Sequence, residues 1–230
     1  MRIMSYNIHH GVSADGKYTL DKIANLIYDL DISICLLQEL DFSNERSEGV
    51  DQLSWLSGLT KLPHTAYGKN IAYKNGFYGN GIISNLPLSR VKNNIFKAKG
   101  IGYRDDVGGL PHKPEDRGVL KADFDFEGLS VTLAVTHCSM WEEERVDSIT
   151  FLANLLSLNP TIIGGDFNTF DTQELALLSP FKTPGEAIAT YPSNNPKYPI
   201  DKFFTSNITV TDIFTLDVDF SDHLPLVIEF

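Results

Sequence analysis

Thr161-Ile162-Ile163-Gly164-Gly165-Asp166-Phe167-Asn168 joins a short apolar run to a carboxylate. A β-branched run of this length, closed by glycines, reads as a strand buried on both faces, and such strands belong to sheets covered by further layers. The run delivers Asp166 at the rim of an apolar core, where a charged group needs a partner or a task. If the extended conformation continues, Asn168 faces the same way as Asp166, two residues earlier. On its own, Asp-Phe-Asn after a strand is more often an ordinary turn.

The same pattern recurs on either side. Upstream, Glu142 to Leu158 carries Val146, Ile149, Leu152, Leu155 and Leu156 at helical intervals, the clearest helix in the chain. Before it, Gly118–Phe126 and Leu129–Thr136 read as a hairpin turned near Gly128, whose second strand ends at His137. At the start, Arg2–Ile8 reads as a strand reaching Asn7, His9, His10 and Gly11. Thr19 is placed to cap a helix bearing Leu20, Ile23, Ile27 and Leu30. Ile32–Leu37 is a second near-continuous apolar strand, with Gln38 and Glu39 at its end.

Val50–Leu59 reads as a short helix, and Thr65–Lys97 as successive strands that include Gly79-Asn80-Gly81-Ile82-Ile83-Ser84. Lys99–Glu115, rich in Gly, Pro and charge, is expected to be a long surface loop. After Asn168 come a short helix, a Pro-rich loop over Thr183–Pro199, and strands around Ile200–Thr205, Val210–Leu216 and Leu226–Phe230. No repeat or low-complexity linker interrupts the 230 residues, so one domain spanning 1–230 is expected.

Apolar residues make up 42% of the chain, enough for a sizeable core without metal or disulfide staples. Cys35, in an apolar run, and Cys138, beside a histidine, are not spaced for zinc and read as buried thiols. The formal net charge of −11 argues against a general nucleic-acid binder held by broad phosphate neutralisation. No apolar stretch reaches the roughly 20 residues of a membrane span, and no long apolar leader follows Met1. With Met1 as the natural start, a cytoplasmic location is expected, and a monomer.

Strand after strand thus ends in a group capable of metal or proton chemistry: Asn7, Glu39, His137, Asp166 with Asn168, Asp201, and Asp222 with His223. Tyr6-Asn7-Ile8, Gln38-Glu39, Gly81-Ile82-Ile83-Ser84, Thr136-His137, Gly165-Asp166-Phe167-Asn168, Ile200-Asp201 and Ser221-Asp222-His223-Leu224-Pro225 resemble, in order and spacing, the signature segments of the endonuclease/exonuclease/phosphatase superfamily. The resemblance covers essentially the whole chain. It implies an α/β four-layer sandwich, two mixed β-sheets packed face to face with helices outside. It also implies a metal-dependent phosphoester hydrolase, and it leaves the substrate open.

The residue chemistry agrees with that implication. Glu39 is a natural ligand for Mg²⁺, with Mn²⁺ as substitute, and Asn7 can ligate the ion or position a carboxylate without adding repulsion. Asp222 is a further candidate ligand. Asp166 would orient or deprotonate the attacking water while Asn168 donates to phosphate oxygens. His223 would serve as base or as donor to developing charge, its other ring nitrogen bonded by Asp201 as the resemblance implies. Whether Asp166 or His223 is the base stays open at this stage. His137 is a candidate acid or phosphate ligand, and Arg117 resembles a family arginine that touches phosphate. Arg145 is expected to pack or pair near the site. The expected reaction is in-line attack of water on phosphorus without a covalent intermediate.

Substrate choice has weaker signals. Arg90, Lys92, Lys97, Lys99, Arg104, Lys113 and Arg117 concentrate positive charge mid-chain, as a solvated strand face or as a polyanion groove. Met140 and Trp141 read equally as an apolar wall for a lipid or base and as packing under the next helix. Lys202 stands where many relatives carry an aromatic. Glu142, Glu143 and Glu144 would repel a long backbone if they face the site. A small-molecule or lipid-headgroup phosphodiesterase is therefore expected ahead of a Mg²⁺-dependent nuclease acting on DNA or RNA, and a non-catalytic binding module comes last.

Overall fold

The computed structural model describes residues 1–99, 102–103, 111–112, 114–155 and 159–230. Arg104, Lys113, Leu156 and most of the expected Lys99–Glu115 loop lie outside the described residues. In chain order the elements are β1 (Arg2–Asn7), α1 (Leu20–Asp29), β2 (Ile34–Phe42), α2 (Gln52–Thr60), β3 (His64–Tyr73), β4 (Gly76–Ser84) and β5 (Ser89–Phe96). Then follow β6 (Gly102–Tyr103), β7 (Pro111–His112), β8 (Arg117–Phe126), β9 (Leu129–His137), α3 (Glu142–Ala153), β10 (Thr161–Asp166), α4 (Thr172–Leu175), β11 (Asp201–Ser206), β12 (Asp212–Thr215) and β13 (Leu226–Glu229).

Among the described residues, one sheet runs β12-β13-β1-β2-β4-β3 and a second runs β11-β10-β9-β8-β5. Both are mixed for the same reason. Each contains one parallel pair joined through a helix, β1-α1-β2 and β9-α3-β10, and every other neighbour is antiparallel. Parallel neighbours require such a crossover.

Side-chain alternation along the strands then builds the layers. Ile3, Ile34, Leu36 and Ile82 of the first sheet meet Leu120, Leu133, Val135, Ile162 and Phe203 of the second. The opposite face of the first sheet, through Met4, Cys35, Leu37 and Ile83, packs on Ile23 and Ile27 of α1 and Leu53 and Leu56 of α2. Val119, Ala134, Ile163 and Phe204 of the second sheet pack outward on Ile149 and Leu152 of α3. The result is the four-layer sandwich that the resemblance implies, and it explains why β2 and β10 read as continuous apolar runs. Both cysteines are free and buried, as expected.

Three local expectations are corrected. The Thr19 side chain does not cap α1; its hydroxyl donates instead to the Phe220 carbonyl at 2.5 Å, tying the helix start to the chain's last quarter. β2 does not stop at Glu39 but continues to Phe42 through an irregularity between Leu37 and Leu40, where Glu39 takes φ +61°. A left-handed residue inside a strand breaks the side-chain alternation, and here it releases Glu39 from the apolar layers. Nor does the extended conformation of β10 continue past Asp166. Asn168 has φ +51°, and its N–H donates to Asp166 Oδ1 at 2.9 Å, so the residues form a side-chain-closed turn.

The glycines at the end of β10 have a steric reason. A Cβ at Gly165, whose φ is +154°, would lie 2.0 Å from the Thr136 carbonyl oxygen of β9. Only glycine lets the two strands come this close, and the pairing that follows sets Asp166 directly beside His137.

Candidate active site

The carboxyl ends of the two parallel pairs lie at one edge of the sandwich, the place where α/β sheets open a crevice. Asn7 ends β1, Glu39 leaves the bulge of β2, His137 ends β9 and Asp166 ends β10. The antiparallel neighbours bring their starts to the same edge: Asp201 opens β11 opposite Asp166, and His223 lies just ahead of β13. The Ser221 hydroxyl donates to the Asn7 carbonyl at 2.7 Å and accepts the His223 N–H at 3.3 Å, locking the Ser-Asp-His segment to β1.

Asp166 Oδ2 is where these groups meet. Asn7 Nδ2 donates to it at 3.1 Å, His137 Nε2 lies at 3.5 Å and His223 Nε2 at 3.7 Å. Asn7 Nδ2 also donates to Glu39 Oε1 at 3.1 Å, so one amide spans both carboxylates. On the far ring nitrogen of His223, Asp201 Oδ2 sits at 2.8 Å and takes a second bond from the Thr190 hydroxyl at 2.6 Å. Arg117 Nη1 lies 3.5 Å from His137 Nδ1. A guanidinium only donates, so that contact leaves the His137 proton on Nε2, toward Asp166.

Burial sets the electrostatics, and neighbouring charges decide its sign. Asp166 is raised, first by burial, with Asp201 adding to it and His223 opposing. Burial lowers His223, but Asp201 and Asp166 outweigh it and lift the ring to about 10. The imidazole between two carboxylates is therefore held as imidazolium at neutral pH. His137 goes the other way, pushed well below an ordinary imidazole by burial and by Arg117. Burial works against the Glu39 carboxylate, yet hydrogen bonds from the Tyr78 hydroxyl and the Asn7 amide favour the ionised form, and the carboxyl lies low, at about 2. His10 is lowered to about 4, chiefly by burial, with Arg46 and His9 adding to it.

These groups line a cleft of about 360 Å³ together with His9, Tyr78, Glu115, Ser139, Met140, Trp141, Tyr191, Ile200 and Asp222. Asn7 and Asp201 stand behind its wall, 1% and 2% exposed. The expected residues are thus brought together, with details that differ. The Oδ1 of Asn7, the atom that would ligate an ion, accepts the His9 N–H at 3.1 Å. Asp222 is 3.9 Å from His9 Nδ1 and belongs to neither cluster of possible metal donors among the described residues, which are His9, His10, Glu39 and Asp166, Asp201, His223. Asn168 Nδ2 donates to the Cys138 carbonyl at 3.0 Å, which leaves its second amide hydrogen for the cleft.

Outside the cleft, Arg145 forms a bidentate pair with Glu174 at 2.8 Å and donates to the Met140 carbonyl, as expected of a packing residue. None of Glu142, Glu143 and Glu144 lines the cleft; Glu144 is buried and accepts the Ser139 hydroxyl at 2.7 Å. Arg90, Lys97 and Lys99 pair with Asp123, Asp116 and Asp147, so among the described residues Arg117 is the only Lys or Arg lining the cleft. Met140 and Trp141 form part of its wall. Lys202 points away from it, donating to the Pro199 carbonyl.

A family model for the endonuclease/exonuclease/phosphatase family matches residues 4–223. The chain belongs to this family. The match begins just before Asn7 and ends on His223, enclosing the whole cluster. The uncharacterised protein YbhP of Escherichia coli is 23% identical over 253 residues, covering 99% of this chain and 95% of YbhP. An endonuclease/exonuclease/phosphatase family protein from Leptotrichia buccalis has the same fold, with a TM-score of 0.75 at 16% identity over 100% of this chain and 99% of that one. The mannosyl-6-phosphatase Bt3783 of Bacteroides thetaiotaomicron gives 0.68 at 19% identity, covering 100% and 98%. Members of the family are generally phosphoester hydrolases and typically depend on a divalent metal. None of the described helices is long and apolar enough to cross a membrane.

Tyr78, Tyr191 and His9 carry no signal of a role in the sequence, yet all three line the cleft. Tyr191 lies within a Pro-rich loop and packs on the His223 ring at 4.8 Å between centroids. No periodic signal marks a loop residue. Tyr78 looks like any strand aromatic, and only pairing β4 against the bulge of β2 brings it to Glu39.

Proposed function

We propose that the chain is a divalent-metal-dependent hydrolase of a small or terminal phosphoester, with a small-molecule or lipid-headgroup phosphodiester as the expected substrate. The observation that carries this reading is the convergence on Asp166 Oδ2 of Asn7, His137 and His223, three groups from remote parts of the chain. A carboxylate raised by burial and ringed by nitrogen donors suits proton abstraction from water near neutral pH. His223, held as imidazolium by Asp201, suits donation to phosphoryl oxygens, which makes Asp166 the base of the two. His137, neutral with its proton on Nε2, suits a phosphate ligand better than an acid.

Arg117 adds a planar fork whose Nε is buried and has no hydrogen-bond partner among the described residues. Glu39, kept ionised at the cleft, fits the ligand expected for Mg²⁺ or Mn²⁺, and Asn7 steadies that carboxylate. Such an ion supplies positive charge to a phosphoryl oxygen. Unaided phosphate ester hydrolysis is slow enough that on the order of 20 kcal/mol must be removed from its barrier. Preorganised cationic donors around one phosphorus are the kind of arrangement that does so.

The cleft volume of about 360 Å³ falls at the small-ligand end of binding sites. Acids take up the neighbouring lysines, and Met140, Trp141 and Ile200 offer apolar wall. Both features favour a small or terminal ester over a long polyanion. That a protein of this fold is a mannosyl-6-phosphatase supports the same preference.

The test is hydrolysis of bis-p-nitrophenyl phosphate and p-nitrophenyl phosphate with added Mg²⁺ or Mn²⁺, with Asp166→Asn and His223→Ala as controls. Turnover lost with EDTA and in both variants is expected. Turnover indifferent to EDTA, or retained by Asp166→Asn, refutes the reading.

A further inference from the structure

We propose that His9, His10 and Glu39 form a site for a divalent transition-metal ion of the class that accepts imidazole nitrogen, such as Mn²⁺, Co²⁺ or Zn²⁺. The inference deepens the cation part of the proposed function and shares Glu39 with it. One ligand atom from each residue lies within 4.8 Å of the others. Metal–ligand bonds of roughly 2.0–2.2 Å place the donors of one ion about 3–4 Å apart, so only small side-chain adjustments close the set.

The backbone brings the two rings together. His9 and His10 have φ of +44° and +45°, and this reversal after β1 brings the ring centroids to 4.4 Å. The free nitrogens are prepared as well. His9 Nδ1 lies 3.1 Å from the Val12 carbonyl, so its proton sits on Nδ1 and the lone pair on Nε2. That contact is the one by which proteins fix the tautomer of a metal-binding histidine. His10 Nδ1 is buried without a hydrogen-bond partner among the described residues, a condition that a protein tolerates poorly unless a ligand relieves it. Two imidazoles and one carboxylate on one side of an ion favour the later first-row metals, whereas Mg²⁺ prefers oxygen and retains its waters.

The test uses the full chain stripped of metal, titrated with MnCl₂ and, separately, MgCl₂. Free Mn²⁺ is followed by electron paramagnetic resonance, both metals are followed by calorimetry, and the visible absorption of added Co²⁺ reports nitrogen ligation. Wild type is expected to bind Mn²⁺ at least about tenfold more tightly than Mg²⁺. His9→Gln should weaken Mn²⁺ by about 10–100-fold while changing Mg²⁺ by less than about twofold. His10→Gln should do the same. If that variant is unfolded by circular dichroism, His9→Gln, at a half-buried position, carries the test alone. Equal affinity for Mn²⁺ and Mg²⁺ in wild type, or unchanged Mn²⁺ affinity in His9→Gln, overturns the proposal. Because the readout is bound metal, a hydrolytically silent protein with intact Mn²⁺ preference would refute the phosphoesterase reading alone.

Discussion

Replacing Asp201 with asparagine separates the charge of the His223 pair from its hydrogen bond. Asparagine keeps the shape and can still accept the Nδ1–H across the 2.8 Å contact, but it removes the negative charge that most lifts His223 against its burial penalty. Hydrogen bonds involving a charged group contribute about 1.5–3 kcal/mol and neutral ones about 1. The variant should therefore unfold with roughly 1–2 kcal/mol less free energy at pH 6, and its His223 midpoint should fall by about one unit or more, at 1.36 kcal/mol per unit.

The folded His223 value, about 10, stands above the ordinary imidazole value of about 6.5. Its contribution to stability is complete below pH 6.5 and disappears as pH rises through 10. The gap between wild type and Asp201→Asn should accordingly be widest near pH 6 and close near pH 10. Urea unfolding at pH 6, 8 and 10, with NMR titration of the histidine rings, measures both quantities. A gap that stays constant across this range, or a His223 midpoint that does not move, would refute the electrostatic account.

Arg117→Lys should lower kcat/KM by about 10–100-fold, because an ammonium cannot reproduce the guanidinium fork in the cleft; unchanged kinetics would remove Arg117 from phosphate contact. Gly165→Ala should destabilise the protein by about 3 kcal/mol in urea, since its Cβ meets the Thr136 carbonyl at 2.0 Å. A smaller loss would mean that β9 and β10 can part without cost. Trp141→Ala should raise KM several-fold, a loss of about 1 kcal/mol, for esters with an apolar or aromatic leaving group while leaving kcat near wild type. A change confined to kcat would argue against the wall.

Much of this architecture is legible without coordinates. Leu129–Thr136 and Thr161–Gly165 show as strands because short runs rich in apolar and β-branched residues lie where both sheet faces are covered, and Glu127-Gly128 sits at the turn of the β8–β9 hairpin, both residues at positive φ. The site residues are legible for a related reason: a carboxylate or imidazole directly after an apolar run stands out. What escapes is backbone conformation at single residues. The left-handed turns at Glu39, Asn168, His9 and His10 redirect side chains without any compositional mark, since none is a glycine. Tyr78 and Tyr191 escape because their role depends on which strand or loop lies opposite, a long-range fact that local periodicity does not carry.

The insertion of β13 between β1 and β12 makes the chain's tail a structural interior. A fragment that stops before Leu226 leaves β1 with a bare edge and removes the strand that follows the Ser-Asp-His segment. On the proposed function, phosphoester turnover should then return last on dilution from denaturant, after most secondary structure, because closing contacts between residues over two hundred positions apart is a slow event in a β-rich chain. Recovery of turnover in a refolding time course becomes a clock for the final strand's arrival rather than for collapse.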